Sequence, residues 1–187
     1  PLSFLGDPGD SQPGCGPEAP ILDGAGFSGK AAFNIGANTN DISIIGFRVQ
    51  NFGPVDQTGA NGVTIYPGPN SNISVSDCTF TNLGWQGVLI WSSDGSKPFD
   101  NIVIERCVVY TYVAYGLELT NCTNSRIHQC LSYGGSNNWS LALLASTWGN
   151  GVNFTSQNIQ ITQNTMEMVL GGGIQMYAYD ANGSTLA

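Results

Sequence analysis

The sequence predicts an all-β solenoid, in which short parallel strands stack coil on coil. The first indication is a repeat: "SNISVSDCTFTNLGWQGVLI" begins at Ser71, and "DNIVIERCVVYTYVAYGLEL" follows from Asp100 with Asn, Ile, Cys and Gly similarly placed. The second is apolar–polar alternation over four or five residues, which is the period of a strand. The third is that nothing in the sequence reads as a long amphipathic helix. Repeats of this size are typical of solenoids.

Each repeat has two halves, and both recur along most of the chain. The first half starts with Asp or Asn, and its successive starts lie 31, 29, 23 and 34 residues apart: "DISIIGFRVQN" from Asp41, "NISVSDCTFTN" from Asn72, "NIVIERCVVYT" from Asn101, "NSRIHQCLSYG" from Asn124 and "NIQITQNTMEM" from Asn158. The second half reads "GVTIY" from Gly62, "GVLIW" from Gly87, "GLELT" from Gly116, "SLALL" from Ser140 and "GGIQMY" ending at Tyr177. Variation is concentrated between the halves, which predicts loops there.

Equivalent apolar positions in these copies should face the interior and lie above one another, about 4.8 Å apart. In the first half they are Ile73 and Val75, Ile102 and Ile104, and Ile159 and Ile161. After a kink of one residue the inward set resumes at Cys78 and Phe80, Cys107 and Val109, Cys130 and Ser132, and Asn164 and Met166. In the second half we align Val88 and Ile90 with Leu117 and Leu119, Leu141 and Leu143, and Ile174 and Met176.

These N-I-x-I-x-x-C/N and G-φ-x-φ rungs resemble the right-handed parallel β-helix, or pectate-lyase-like, superfamily. The opening "PLSFLGDPGDSQPGCGPEAPILDGAG" is similar to the first coils of secreted β-helix polysaccharide lyases and their uncharacterised repeat relatives. The resemblance covers nearly the whole chain. It implies one domain, residues 1–187, folded as a single-stranded right-handed parallel β-helix of about six coils. We find no capping helix in the sequence, so we expect either a segment of a longer solenoid or ends covered by other copies.

The composition excludes some classes of function. Net charge is −8 and the chain has five Lys and Arg, which gives nucleic-acid binding almost no electrostatic basis. No apolar run approaches the length of a transmembrane helix, so membrane insertion is not expected. The low charged fraction, 10%, and the N-x-S/T sequons favour an extracellular or cell-surface glycoprotein. The candidate glycosylation sites are Asn72, Asn121, Asn138, Asn153 and Asn182.

A polar cluster on the outward side of the first strand is the catalytic candidate. Glu105 and His128 should be neighbours on adjacent coils, with Arg126 close by. The superfamily resemblance implies that substrate lies along an exterior sheet and that a basic side chain removes a proton beside a uronate carboxyl. Arg126 or His128 would then be the base and Tyr133 its helper. The alternative is an exposed Glu–His–Arg ladder of little energetic value.

The enzyme interpretation lacks further support in the sequence. The Asn-Thr-Asp, paired-Asp and Gly-His-Gly motifs of the superfamily's polygalacturonate hydrolases are absent. A hydrolase needs two facing carboxylates, and Glu105 and Glu118 fall on different sheets. We expect no cofactor and no metal. Calcium has no clear motif, although "SSDGSKPFD" (Ser92 to Asp100) places two Asp in one loop.

Aromatic residues form a second candidate surface. Tyr66, Trp91 and Tyr177 are expected to share an outward position at the end of the second strand, interrupted by Thr120 and Leu144, with Trp139 just before that strand. Exposed aromatic faces stack on sugar rings, which predicts carbohydrate binding by Tyr66, Trp91, Tyr177 and Trp139. The alternative is that long loops fold over these rings.

Cys78, Cys107 and Cys130 share one inward position and are expected to form a ladder of small buried thiols. A disulfide between adjacent rungs is conceivable, but side chains that point in parallel suit it poorly. The remaining Cys15 and Cys122 have no pairing that the sequence indicates.

Three hypotheses for function follow. The first is a non-catalytic extracellular solenoid, a structural or surface module that stacks end to end or continues into flanking protein. The second is a polysaccharide lyase or glycoside hydrolase acting along the exterior sheet. The third, which overlaps the first, is a module that binds polysaccharide or another glycan through the Trp91 face.

Overall fold

The structure is a computed structural model of the whole chain. It describes residues 1–9, 12–27, 29–53, 59–91, 98–136, 141–147, 156–179 and 185–186. For residues 141–147, 176–179 and 185–186, the description concerns the backbone alone.

The described chain is all-β, and its strands form three sheets. Sheet 1 contains β1 (Leu2–Leu5), β4 (Ile42–Ile45), β7 (Ser71–Ser76), β10 (Phe99–Glu105), β13 (Cys122–His128) and β16 (Gln157–Thr162). Sheet 2 contains β2 (Ile21–Asp23), β5 (Arg48–Gln50), β8 (Thr79–Thr81), β11 (Val108–Tyr112), β14 (Leu131–Gly135) and β17 (Thr165–Glu167). Sheet 3 contains β3 (Phe33–Ile35), β6 (Val63–Ile65), β9 (Val88–Trp91), β12 (Tyr115–Thr120), β15 (Leu141–Thr147), β18 (Gly172–Tyr179) and β19 (Thr185–Leu186).

Successive strands visit sheets 1, 2 and 3 in turn, so each group of three strands is one coil of a parallel β-helix. Six coils are completed between β1 and β18, as the repeat predicts. Neighbouring strands within a sheet are parallel, except that β19 pairs antiparallel with β18.

The core is a stack of equivalent apolar side chains from successive coils. Ile44 pairs with Val75, Val75 with Ile104, and Ile104 with Ile127, and all four are fully buried. The same in-register stacking joins Phe80 to Val109 in sheet 2 and Ile90 to Leu119 in sheet 3. Burial of these side chains is the main stabilising contribution, at roughly 1.5–3 kcal/mol each.

The kink between the two inward sets is a single residue with left-handed backbone. It occupies the corner between sheets 1 and 2 in five coils, at Gly46, Asp77, Arg106, Gln129 and Gln163, with φ between 48° and 75°. Left-handed residues recur at two further places in five coils. Asp41, Asn72, Asn101, Asn124 and Asn158 lie at or near the start of the strands of sheet 1, and Asn51, Asn82, Thr111, Gly134 and Met168 lie at or near the end of the strands of sheet 2. Asn and Asp tolerate this conformation better than most residues, which explains the Asn that opens each copy.

The opening Asn side chains also bond to one another along the helix axis. Asn72 Nδ2 donates to Asp41 Oδ1 at 2.9 Å, and Asn101 Nδ2 donates to Asn72 Oδ1 at 2.9 Å. Asn158 Nδ2 donates to Asn124 Oδ1 at 3.0 Å. The recurring Asn therefore connects consecutive coils as well as turning the chain.

The Gly of the G-φ-x-φ half is required by the close approach of the next coil. A Cβ on Gly87 would lie 2.5 Å from the carbonyl oxygen of Gly116 and 2.8 Å from the Val109 side chain. A Cβ on Gly62 would collide with the Phe80 ring. These glycines allow the coil to turn tightly into sheet 3.

The predicted thiol ladder is confirmed. Cys78, Cys107 and Cys130 are buried at equivalent positions, and all five cysteines of the chain are free thiols. The Cys107 backbone N–H donates to Cys130 Sγ at 3.4 Å, and Asn164 Oδ1 accepts from the Cys130 N–H at 2.8 Å. Asn164 thus continues the ladder with a polar side chain bonded to the backbone.

The predicted alignment of "SLALL", the fourth copy of the second half, was wrong by two residues. Leu117 pairs with Leu143 and Leu119 with Ala145, whereas Leu141 pairs with Tyr115. The residues of that coil in register with Leu117 and Leu119 are therefore Leu143 and Ala145 instead of Leu141 and Leu143. Strand β15 starts two residues before Leu143, so it is longer than the motif suggested. Ser140, which stood in the Gly position of the motif, lies outside the described residues.

An N-terminal hairpin (residues 6–9 and 12–16) lies against the corner between sheets 1 and 2. The Asp7 N–H donates to the Gly46 carbonyl at 2.9 Å, and the Gly14 N–H donates to the Arg106 carbonyl at 2.7 Å. The two sides join where the Gly16 N–H donates to the Asp7 carbonyl at 2.7 Å. The hairpin thus spans the corner from the second coil to the fourth.

Candidate functional site

The outward charges predicted as a catalytic cluster come together on coils four and five. Glu105 pairs with His128 in the register of β10 and β13, and Thr162 occupies the same position on β16. Arg126 pairs with Val103, two residues before Glu105. The repeat therefore placed Glu105, Arg126 and His128 together correctly.

Ion pairs tie this cluster to the neighbouring corner. Arg106 donates from Nε to Asp77 Oδ1 at 2.7 Å and from Nη2 to Asp77 Oδ2 at 2.8 Å. Its Nη1 donates to Glu105 Oε1 at 2.9 Å, and Arg126 Nη2 donates to Glu105 Oε2 at 2.8 Å. Two arginines thus face two carboxylates, and the charges of this network cancel.

The network fixes the protonation of its members. Burial alone would raise the pKa of Glu105, but the hydrogen bond from Arg126 and the charge of Arg106 outweigh it and hold the pKa below its ordinary value. The bidentate bond to Asp77 raises the pKa of Arg106 further above its already high value. Glu105 therefore stays a carboxylate and Arg106 stays a cation at neutral pH.

The other two catalytic candidates are engaged elsewhere. His128 Nδ1 lies 2.8 Å from Thr162 Oγ1, which connects the histidine to the sixth coil. Tyr133 lies on sheet 2, across the corner from His128, and its ring meets that of Tyr110 edge-on at a centroid distance of 5.7 Å. The structure thus groups three of the four predicted residues and places Tyr133 in an aromatic pair.

The aromatic surface on sheet 3 contains a stacked pair. The rings of Tyr66 and Trp91 are 5.1 Å apart between centroids and 24° from parallel, and Tyr66 is 40% exposed. In the register, Trp91 is followed by Thr120, Ser146 and Tyr177 on successive coils. The predicted interruption by Leu144 was therefore wrong, since Leu144 pairs with Glu118.

Two other predicted carbohydrate-binding side chains cannot be placed on this surface. The backbone of Tyr177 belongs to β18, but its side chain lies outside the described residues. Trp139 lies entirely outside them. The described part of the surface is thus the Tyr66–Trp91 pair, with Thr120 next to Trp91 in the register.

A buried carboxyl beside this pair was missed by sequence reasoning. Glu118 occupies an outward position of β12, yet it is 7% exposed. Gln86 Nε2 donates to its Oε2 at 2.6 Å, and Thr120 Oγ1 donates to its Oε1 at 2.7 Å. Burial raises the pKa of Glu118 to about 7, although both hydrogen bonds act in the opposite direction. The alternating pattern of "GLELT" predicts an exposed Glu, so no signal in the sequence could have indicated this.

Glu118 and Glu105 do not form a hydrolase pair. Glu118 lies on sheet 3 and Glu105 on sheet 1, as expected from the sequence. Within the described ranges, no group of three or more His, Cys, Asp or Glu side chains could hold a metal ion. Most of the loop considered for calcium, residues 92–97, lies outside those ranges.

Two of the five sequon asparagines lie within the described residues. Asn72 is exposed, but its Nδ2, the atom that would carry a glycan, donates to Asp41. Asn121 is fully buried, so a glycan on its side chain is incompatible with this fold. Asn138, Asn153 and Asn182 lie outside the described part of the chain.

Comparison with known proteins identifies a family. The model of the right-handed β-helix region matches residues 31–186. No curated protein and no solved structure matched the chain. In the part of the chain that the structure describes, no helix has the length and apolar character needed to cross a membrane.

Proposed function

The chain belongs to the right-handed β-helix family, and from that premise we propose that it is a non-catalytic extracellular solenoid. In this proposal it is a structural or surface module whose outer face contacts glycans. The observation that carries the proposal is the closed ion-pair network of Asp77, Glu105, Arg106 and Arg126.

A general base must be unprotonated before it can accept a proton from the substrate. Arg126 Nη2 donates to Glu105 Oε2 at 2.8 Å, so its guanidinium is already engaged by a carboxylate of the protein. Glu105 is a weak base because two arginines stabilise its ionised form. The network is thus suited to holding coils three to five together.

The Tyr66–Trp91 pair supports glycan contact. Its stacked rings offer an apolar face on an outer sheet, and a sugar ring can lie against such a face through its C–H groups. The net charge of −8 disfavours polyanionic glycans, so we propose neutral ones.

The extracellular location is proposed from the low charged fraction and from the sequons other than that of the buried Asn121. Free thiols are more usual in reducing compartments. Here Cys78, Cys107, Cys122 and Cys130 are buried, which shields them from oxidants. The proposal therefore requires only Cys15, which is partly exposed, to survive as an accessible thiol.

We also propose that other copies or flanking protein cover the outer coils. Leu2, Leu5, Ile21 and Phe27 are more than half exposed on the first coil, as are Met168 and Leu170 on the sixth. Apolar side chains beside strand edges favour pairing with further protein. Filaments that lengthen with protein concentration in electron micrographs would support stacking of copies, and uniform monomeric particles would contradict it.

The test of glycan contact is retention on immobilised neutral polysaccharides. We expect Tyr66→Ala to reduce retention, whereas Phe27→Ala, which removes an exposed aromatic ring elsewhere, should not. Equal retention of the two variants would overturn the role of this surface.

The alternative function, a polysaccharide lyase or glycoside hydrolase, is favoured by the proximity of Arg126 and His128. Mass spectrometry after incubation with uronate and neutral polysaccharides distinguishes such an enzyme from a non-catalytic solenoid. Unsaturated products that disappear in His128→Ala or Arg126→Ala would establish a lyase, and hydrated fragments a hydrolase. We expect no products from any polysaccharide.

A further inference from the structure

A groove of about 350 Å³ runs along the corner between sheets 1 and 2, away from the Tyr66–Trp91 pair. Its volume is within the range of small-ligand sites. The residues that line it on coils four to six are Arg106, Gln129, Leu131, Gln163, Thr165 and Glu167.

The floor of the groove is set by the left-handed corner. Arg106, Gln129 and Gln163 occupy equivalent positions on successive coils, with φ of 48°, 51° and 56°. Their backbones are therefore about 4.8 Å apart along the helix axis, the spacing of neighbouring strands. The groove thus offers regularly spaced polar side chains to an elongated ligand.

One wall is formed by the N-terminal hairpin through Gln12 and Pro13. The hairpin is held in place because the Gly14 N–H donates to the Arg106 carbonyl at 2.7 Å and the Cys15 N–H donates to Thr79 Oγ1 at 3.1 Å. The wall is therefore anchored to the fourth coil, which contributes Arg106 to the floor, and to the third coil beside it.

The charges around the groove favour an uncharged ligand. Arg106 is neutralised by Asp77 and Glu105, and the glutamines carry no charge. Glu167 adds a carboxylate, which together with the net charge of −8 opposes binding of an anion.

The hydrogen-bonding groups match hydroxyls. The side-chain amides of Gln129 and Gln163 form no hydrogen bond with the described residues, and an amide both donates and accepts, as a hydroxyl does. Leu131 supplies an apolar contact beside them. An extended peptide is less suitable, because it binds by pairing its backbone with an open strand edge and the corner presents none.

We propose that this groove binds a neutral oligosaccharide that lies along the coil axis, with Gln129 and Gln163 as its hydrogen-bonding residues. The inference rests on the proposed function in taking glycans as ligands. It adds a second site whose contribution is separable from that of Tyr66.

The experiment is titration of the purified protein with cellohexaose, xylohexaose and mannohexaose by isothermal calorimetry. The variant Gln129→Gly/Gln163→Gly removes both amides, and Gly tolerates the left-handed backbone at these positions. We expect at least one of the three sugars to bind the native protein about tenfold more tightly than this variant, or ~1.4 kcal/mol.

The matched control is Gln157→Ala/Gln160→Ala, which removes two exposed glutamines of β16 that do not line the groove. It should bind like the native protein, and so should Tyr66→Ala. If Tyr66→Ala were the only variant to lose binding, the proposed groove site would be overturned, whereas the proposed role of the aromatic surface would be supported. Absence of saturable binding by all three sugars would also overturn the proposed binding site in the groove. Glycan contact by the aromatic surface would still be tested separately, by the retention of Tyr66→Ala on immobilised polysaccharides.

Discussion

Arg106 and Asp77 occupy equivalent corner positions on adjacent coils and join through two hydrogen bonds of 2.7 and 2.8 Å. The Asp77 side chain is almost completely buried, whereas that of Arg106 is 36% exposed. A buried carboxylate requires a partner, because desolvation strongly disfavours an unpaired charge. This pair therefore makes the third coil depend on the fourth.

Replacing Arg106 with Gln should reduce the free energy of unfolding by about 2 kcal/mol, because Asp77 loses its main partner. The value lies below that of a fully buried pair, since Arg106 is partly exposed to solvent. Gln already occupies the equivalent position at Gln129 and Gln163, so the backbone is not strained by the change. Urea denaturation measures the effect. Arg48→Gln removes the same charge from an arginine without an ion pair in the described structure, and an equal loss there would contradict the assignment.

Stability should fall as pH rises from about 4.5 to 7 because of Glu118. Its pKa in the folded protein is about 7, above the ordinary 4.5, so the folded state binds more protons in this window than the unfolded state. The resulting loss is on the order of 3 kcal/mol. Glu105 acts oppositely: its lowered pKa stabilises the fold above pH 4.5, and that contribution is lost as pH falls through the folded value.

The variant Glu118→Gln should abolish the decline between pH 4.5 and 7 and should be more stable than the native protein at pH 7.5. The Gln86 amide can accept from the new side chain after rotation, since its Oε1 is buried without a hydrogen-bonding partner. Thermal unfolding at several pH values checks this. Glu167→Gln, at an exposed carboxyl, is the control, and a decline that persists in Glu118→Gln would show that another group causes it.

Gly87→Ala should cost about 2–3 kcal/mol of stability, because its Cβ would meet a backbone carbonyl and Val109, neither of which can move freely. Gly36→Ala is the matched control, since a Cβ there has no atom within 4 Å. We expect that variant to stay within about 0.5 kcal/mol of the native protein. If both substitutions had the same effect in urea denaturation, close coil packing would not explain the Gly of the repeat.

In the native protein, a thiol reagent should label Cys15 and leave the other four cysteines unmodified. Cys78, Cys107, Cys122 and Cys130 are buried, and burial raises the pKa of the Cys107 and Cys122 thiols well above the ordinary value. All five should react in denaturant without a reductant, because none forms a disulfide. Peptide mass spectrometry identifies the labelled residues, and rapid native labelling of Cys107 would be inconsistent with this core.

The repeat correctly predicted, for most neighbouring coils, which residues lie side by side. Glu105 and His128 were placed side by side, and so were the thiols of Cys107 and Cys130, because parallel strands in register stack like residues. The alignment failed at Leu141, where a longer strand replaces the motif. A sequence pattern specifies register only where each copy keeps the corner residue that starts its strand.

The sequence by itself determined the fold class, the number of coils and most of the inward side chains, since these depend on a local period of two and on a motif that occurs several times in the chain. Tertiary structure alone decided that Arg106 joins Glu105 and Arg126 and connects them to Asp77. Arg106 bonds Asp77 and Glu105 because a left-handed corner brings successive coils together there, and Glu118 is buried on an outward position that alternation assigns to solvent. Burial and ion pairing depend on what surrounds a side chain in three dimensions, and a linear period does not contain that information.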